Sequence, residues 1–196
     1  MSGAKKHGMI VSIERQIAFF AGEDVCRNVM EGSDGITEKT DNKKIALFVK
    51  KAMERLDAVV DEEAKFKIMQ NCGYECAKIN KRALERFVAR RRKFGTLDEF
   101  LEAEHKKPSV GTRLERQGNT VFQFYTPQLY TKPVRCYCGL LNGLPANETV
   151  SLTYCHCSKG FVEKVWEAIM GRPVKVDLLQ SVVHGDKECK FAIHLA

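Results

Sequence analysis

A chain of 196 residues, 44% hydrophobic and 29% charged, is long enough to bury a sizeable core and has the composition of a globular protein. No apolar run approaches the ~20 residues that span a bilayer. The basic start MSGAKKHGMIVSIERQIAFF is broken at Glu14, Arg15 and Gln16 with no small-residue cleavage site after it, so no signal peptide is expected and a cytoplasmic location is. The net charge of +7 is local: Lys78 to Lys93 holds eight basic residues against Glu85, and the rest of the chain is balanced.

In chain order, Ser12 is placed to cap a helix running toward Met30, and EGSDGITEKTDNKK reads as a polar, glycine-containing loop. Ile45, Phe48, Val49, Ala52, Leu56 and Val59 recur at three- and four-residue steps, which predicts an amphipathic helix. Another helix follows from about Asp61. On the basic stretch Cys76, Ile79, Ala83 and Phe87 make one apolar stripe. Thr96 with Glu99 three residues on is a capping box and opens a short helix.

After Pro108 the pattern changes. TRLERQGNTVFQFYT predicts two short strands about a Gly118-Asn119 turn. PVRCYC and ETVSLTYCHC alternate as strands, SKGFVEKVWEAIM returns to helical spacing, and RPVKVDLLQSVV with ECKFAIHL forms a closing hairpin. The expected fold is α+β: a helical part over residues 1–108, and a part over 109–196 with an antiparallel sheet and one inserted helix, the two packed as one unit.

Eight cysteines in a reducing compartment point to metal ligands, redox chemistry or buried thiols before a disulfide framework. Four form two Cys-x-Cys pairs, Cys136/Cys138 and Cys155/Cys157. Read as strands, each pair shares a face, and Cys155 and Cys157 fall opposite the apolar Val150, Leu152 and Tyr154. Core packing alone would have put them with those apolar residues. Four thiolates are the donor set of a zinc site or, as the rival, an iron–sulfur cluster. Strand spacing of roughly 6.6 Å is too wide for one zinc at about 2.3 Å bonds unless the strand ends curl, as the following glycines permit. Buried or reactive free thiols and a redox disulfide are the other readings. His156 points to the opposite face and is a poor ligand. Cys72 and Cys76, at helical i and i+4, are secondary metal candidates or core residues, as is Cys189, which alternates with Phe191, Ile193 and Leu195. Cys26 reads as a core residue on a helix face.

From Tyr130 to Ala196 the chain resembles the C-terminal part of the 4-vinyl reductase domain superfamily. The resemblance rests on Tyr154, Gly160, Gly171-Arg172-Pro173-Val174, Gly185, Asp186, Cys189 and Phe191. It implies a small-molecule-binding fold, used in effector-sensing parts of transcription activators and in tetrapyrrole and hydrocarbon metabolism. Some members of that family hold zinc through cysteines and a glutamate around the last hairpin. Cys189 matches the last of those ligands, whereas Leu178 and Ser181 fall where the others would be and cannot serve. A metal here would therefore need another set, and the two Cys-x-Cys pairs supply it.

Three functions follow as expectations. The first is a protein that binds or senses a small apolar or aromatic ligand, with Phe122, Phe124, Tyr125, Tyr154, Phe161 and Trp166 as pocket candidates and a cysteine-held zinc. The second is a metal- or thiol-dependent enzyme on a small organic substrate, although no phosphate loop, dinucleotide fingerprint or Gly-x-Ser-x-Gly names a reaction. Asp186 is read as shaping its turn rather than as an acid–base group. The third is a nucleic-acid-binding regulator using the basic helix 77–93. No membrane partner is expected, and a homodimer stays open.

Overall fold

Helices occupy the first hundred residues of the computed structural model, which describes residues 4–108, 111–129 and 136–195. Helix α1 (Gly8–Ala21) begins before Ser12, because the His7 ring accepts the Met9 N–H at 3.3 Å and caps it; Ile10, Ile13 and Ile17 are its buried stripe. Gly22, at φ 91°, ends α1, and α2 (Glu23–Val29) starts afresh, so the single helix expected from Ser12 to Met30 is two. Asp41 caps α3 (Asn42–Val59) by accepting from the Lys43 and Lys44 amides, and Asp61 caps α4 (Glu62–Ile79) by accepting from Ala64.

Asn80 separates α4 from α5 (Lys81–Arg91), which contains no buried residue. The expected apolar stripe therefore fails as a core face: Ile79 is 69% exposed and Ala83 is exposed. The capping box of Thr96 and Glu99 opens α6 (Leu97–Lys106) as the sequence predicts.

Strands β1 (Thr112–Gln117) and β2 (Thr120–Tyr125) pair about the Gly118-Asn119 turn, with Gly118 at φ 57°. With β3 (Lys175–Gln180) and β4 (Cys189–His194) they make a four-stranded antiparallel sheet in the order β1-β2-β4-β3. The fold is α+β, as expected.

One element departs from expectation in a way that decides the site. ETVSLTYCHC is not a strand: Ser151 accepts the Thr153 amide at 3.2 Å and opens α7 (Leu152–Met170). Cys155 and Cys157 thus stand in the first turns of a helix. Of the other expected strand, residues 130–135 lie outside the described residues, and Cys136–Cys138 is irregular chain leading into a short 3₁₀ turn at Gly139–Leu141.

Two cores meet along α7. The first packs α1, α2, α3, α4 and the 3₁₀ turn against Tyr154, Cys155 and Cys157; the second packs α6 and the sheet against Val162, Val165 and Trp166. Leu178 and Cys189 touch both. Helices α4 and α7 approach through two glycines. A methyl group on Gly73 would overlap the Cys157 carbonyl oxygen, and one on Gly160 would overlap the Gln70 carbonyl oxygen. That contact fixes which face of α7 looks at α4.

Candidate functional site: thiols on two sides of helix α7

On a helix, residues two apart point roughly 200° away from each other, so the Cys155/Cys157 pair splits. Cys157 faces α4, within electrostatic reach of Cys72, Cys76, Cys138 and Cys136. Cys155 faces the sheet, where its sulfur lies 2.9 Å from the Ser181 hydroxyl and feels Cys189 and Cys138. Cys136 and Cys138 bridge the two sides. Cys136 feels Cys138, Cys155 and Cys189, and its sulfur accepts the Cys138 amide at 3.4 Å. The Cys138 sulfur lies 2.8 Å from the hydroxyl of the buried Tyr154. Seven of the eight cysteines are gathered in this way, all as free thiols. Cys26 stands apart, donating to the Glu14 carbonyl at 3.3 Å, buried as expected.

Burial dominates the acid–base state of the seven. It pushes the Cys72 and Cys155 thiols up to about 12 and raises those of Cys76, Cys136, Cys138, Cys157 and Cys189 as well. Neighbouring thiols add to the rise. The Ser181 hydroxyl and the Tyr154 hydroxyl oppose it at Cys155 and Cys138 without overcoming it. At neutral pH the cluster is uncharged. Cys72, Cys155 and Cys157 form its buried floor, and Cys76, Cys136, Cys138 and Cys189 its partly buried rim.

His156 points away from the cluster. Its ring stacks on Phe66 at 3.8 Å and 10°, its Nδ1 has no hydrogen-bond partner, and burial lowers its pKa to about 4. Asp186 accepts the Ser181 amide at 2.8 Å and shapes the turn after β3. The pocket candidates do not line one cavity. Phe122 and Phe124 lie under Lys190 and Arg113, Trp166 is buried in the second core, and Tyr154 belongs to the thiols. Two shallow grooves of about 490 and 580 Å³ lie elsewhere, along α1, α2 and α3. Tyr154 and Ser181 are the site residues that sequence reasoning missed in this role. Ser181 was set aside for lacking a metal donor, and only the fold shows it against Cys155.

This is an α+β molecule whose central helix is flanked by thiols. The chain belongs to the family described as "Family of unknown function (DUF6144)", whose model matches residues 9–196. No curated protein matches it. Among solved structures it is similar to an H-NOX domain from Shewanella oneidensis in the Fe(II)CO ligation state: 12% identity, 96% of this chain and 98% of that one covered, TM-score 0.47. It is similar also to an H-NOX protein from S. oneidensis in the Fe(II)NO ligation state, at 13% identity, 96% and 98% coverage and a TM-score of 0.44. Likeness at that level leaves those proteins' chemistry their own.

Two expectations are corrected. The resemblance to the 4-vinyl reductase superfamily over residues 130–196 gives way to one family spanning residues 9–196. Tyr154 and Gly160, which carried that resemblance, are packing residues of α7 against the helical part. The zinc site, with the iron–sulfur cluster as its rival, also falls. Among the described residues no group of three or more His, Cys, Asp or Glu side chains could hold a metal ion. The physical reason is the helix: it turns Cys155 and Cys157 to opposite sides, and hydroxyls rather than sulfurs stand next to Cys155 and Cys138. Among the described residues no helix is long and apolar enough to cross a membrane.

Proposed function

We propose that the chain binds or senses a small molecule, and that its responsive site is the thiol set Cys136, Cys138, Cys155 and Cys157 with Cys72, Cys76 and Cys189. The observation that carries this is the gathering of seven free thiols from α4, the loop before the 3₁₀ turn, α7 and β4. Burial defines the ligand class. A largely buried cluster of neutral thiols favours a neutral, compact, thiol-reactive molecule over an ion, which would lose its hydration on entry. The raised pKa values are the opposite of an activated nucleophile, which argues against a thiol-dependent enzyme. The glycine contact between α4 and α7 supports treating residues 1–108 and 109–196 as one packed unit, and the site as shared by both.

The test is competitive labelling of the folded protein with methyl methanethiosulfonate, which is neutral, and its anionic sulfonatoethyl analogue, read by mass spectrometry. The neutral reagent should modify the rim thiols at least about tenfold faster, a difference of only ~1.4 kcal/mol in barrier. Equal rates, or no native-state modification of any of the seven, would sink the proposal.

A second reading keeps the basic helix for nucleic acid. Its favouring observation is that α5 holds no buried residue, only Leu84 and Phe87 packing against the second core, and that among the described residues Arg82, Arg86, Arg92 and Lys93 are exposed and carry no ion pair. Retention of DNA that falls steeply with salt and is lost in an Arg82→Glu/Arg86→Glu variant would support it; no retention at low salt ends it.

A further inference from the structure

Away from the thiols, helix α3 presents a second stripe that neither core uses. Lys44, Leu47, Lys51 and Arg55 recur at three- and four-residue steps, beside the buried stripe of Ile45, Val49, Ala52 and Leu56. Phe48, whose spacing places it with the buried residues, packs against the first core yet stays half-buried. Across from this stripe runs the segment from Glu31 to Ile36, and the groove of about 490 Å³ lies between them. That volume is within the range of small-molecule pockets. The far wall is pinned: the Arg55 guanidinium donates to the Val29 and Glu31 carbonyl oxygens at 3.3 and 3.0 Å and pairs with the Glu31 carboxylate at 3.1 Å. Ile36, Leu47 and Phe48 supply the apolar part of the lining.

The charges of the lining do not balance. Both of its carboxylates are engaged, Glu31 by Arg55 and Asp41 by the Lys43 and Lys44 amides at the start of α3. Lys43, Lys44 and Lys51 are exposed and, among the described residues, carry no ion pair. The groove along α1 and α2 is the reverse, with Glu14, Glu23, Glu31 and Asp34 outnumbering Arg15 and Arg27. Two adjacent grooves are thus sorted by charge, and only one of them attracts anions. Lysine ammonium groups act as mobile point charges, which suits a single anionic group of any shape.

We propose that the α3 groove is a second ligand site, for a small organic anion with an aromatic or branched apolar body. Its anionic group meets Lys43, Lys44 and Lys51, and its apolar body rests on Leu47 and Phe48. The site uses no cysteine, so it stands or falls apart from the thiol reading above. A carboxylate and a phosphate ester satisfy the same lysines, and competition separates them.

The experiment titrates the whole chain with anilinonaphthalene sulfonate at low salt, reading fluorescence and the nuclear Overhauser contacts of the naphthalene protons. Saturable binding with contacts to Leu47 and Phe48 is expected. Lys44→Glu/Lys51→Glu, at two exposed positions, should weaken it by about tenfold or more, and Lys44→Gln/Lys51→Gln by less. Leu47→Gln should weaken it with every charge in place, whereas Arg82→Glu/Arg86→Glu should leave it unchanged. Naphthoate or naphthyl phosphate should displace the probe, the stronger of the two naming the head group, while naphthalenemethanol and inorganic phosphate should not. No saturable binding, binding that survives the lysine reversal, loss through the α5 variant instead, or displacement by naphthalenemethanol overturns the site. Release of the probe as the chain dimerises at high concentration would seat a second copy in the groove, and overturns it too. Prior blocking of the cysteines with methyl methanethiosulfonate should leave probe binding as it was, so failure of this site and failure of the thiol reading are told apart.

Discussion

The two ends of helix α7 handle buried polar atoms in opposite ways. At its C-terminal half the second core surrounds a closed chain: the Trp166 indole N–H donates to the Gln123 carbonyl oxygen at 2.7 Å, and the Gln123 amide donates to the Tyr125 hydroxyl at 2.8 Å. Each group of that chain has a partner, as a core built for stability requires. At its N-terminal half the same helix carries thiols, weak hydrogen-bonding groups that leave room for chemistry, and a His156 nitrogen with no partner. The Trp166 chain is closed, and the His156 ring is not. The difference locates where the molecule can still react.

The largest effect should come from closing the seam between α4 and α7. Gly73→Ala or Gly160→Ala forces backbone against a methyl group, and each should cost on the order of 3 kcal/mol, lowering the calorimetric midpoint by about 10 °C. A shift of a degree or two would mean that the helices can part easily, and that the thiols of α4 are not held against α7.

Acid is the next lever, and at the N-terminal half of α7 it acts through His156. His156 has a folded-state pKa of about 4 against 6.5 in free imidazole. The unfolded chain takes up the proton first, so the contribution is complete above pH 6.5 and is lost as pH falls toward 4. Unfolding by urea across that window should show a loss approaching about 3 kcal/mol. His156→Phe keeps the stack on Phe66, removes the unpartnered nitrogen, and should flatten that part of the profile without lowering stability at pH 7.

The mirror experiment at the Trp166 chain should have the opposite sign and a smaller size. Trp166→Phe leaves the Gln123 carbonyl oxygen unpaired and should cost about 2 kcal/mol at neutral pH, with no new pH dependence between 4 and 6.5. If instead His156→Phe destabilises at pH 7 and Trp166→Phe does not, the contrast between the halves is wrong.

Local chemistry made much of the fold legible in advance. Asp61 and the Thr96/Glu99 box start their helices, and Gly118-Asn119 turns its hairpin, because those residues act through neighbours only two or three positions away. The start of α7 was read wrongly for a physical reason. Over the few residues from Thr149 to Cys157, alternation and helical spacing match almost equally well, and β-branched and cysteine side chains tilt the choice toward strand. The spacing Tyr154, Cys157, Phe161, Val165, continuous with the later helix, was the better signal, and Ser151 was its cap. The candidate thiols were visible as residue types. Their partition was not, since it follows from helical phase and from contacts with Ser181 and Tyr154 made across the fold.

Shared membership of α7 in both cores has a consequence for amide exchange. A helix that opens alone exchanges its N–H groups through local fluctuation, as α5, with nothing buried, is free to do. Helix α7 has no such route: freeing its backbone means detaching α4 on one side and the sheet on the other. Its protection is therefore that of the whole molecule. The inner thiols Cys155 and Cys157 inherit that shielding, and meet the outside only past the partly buried cysteines beside them.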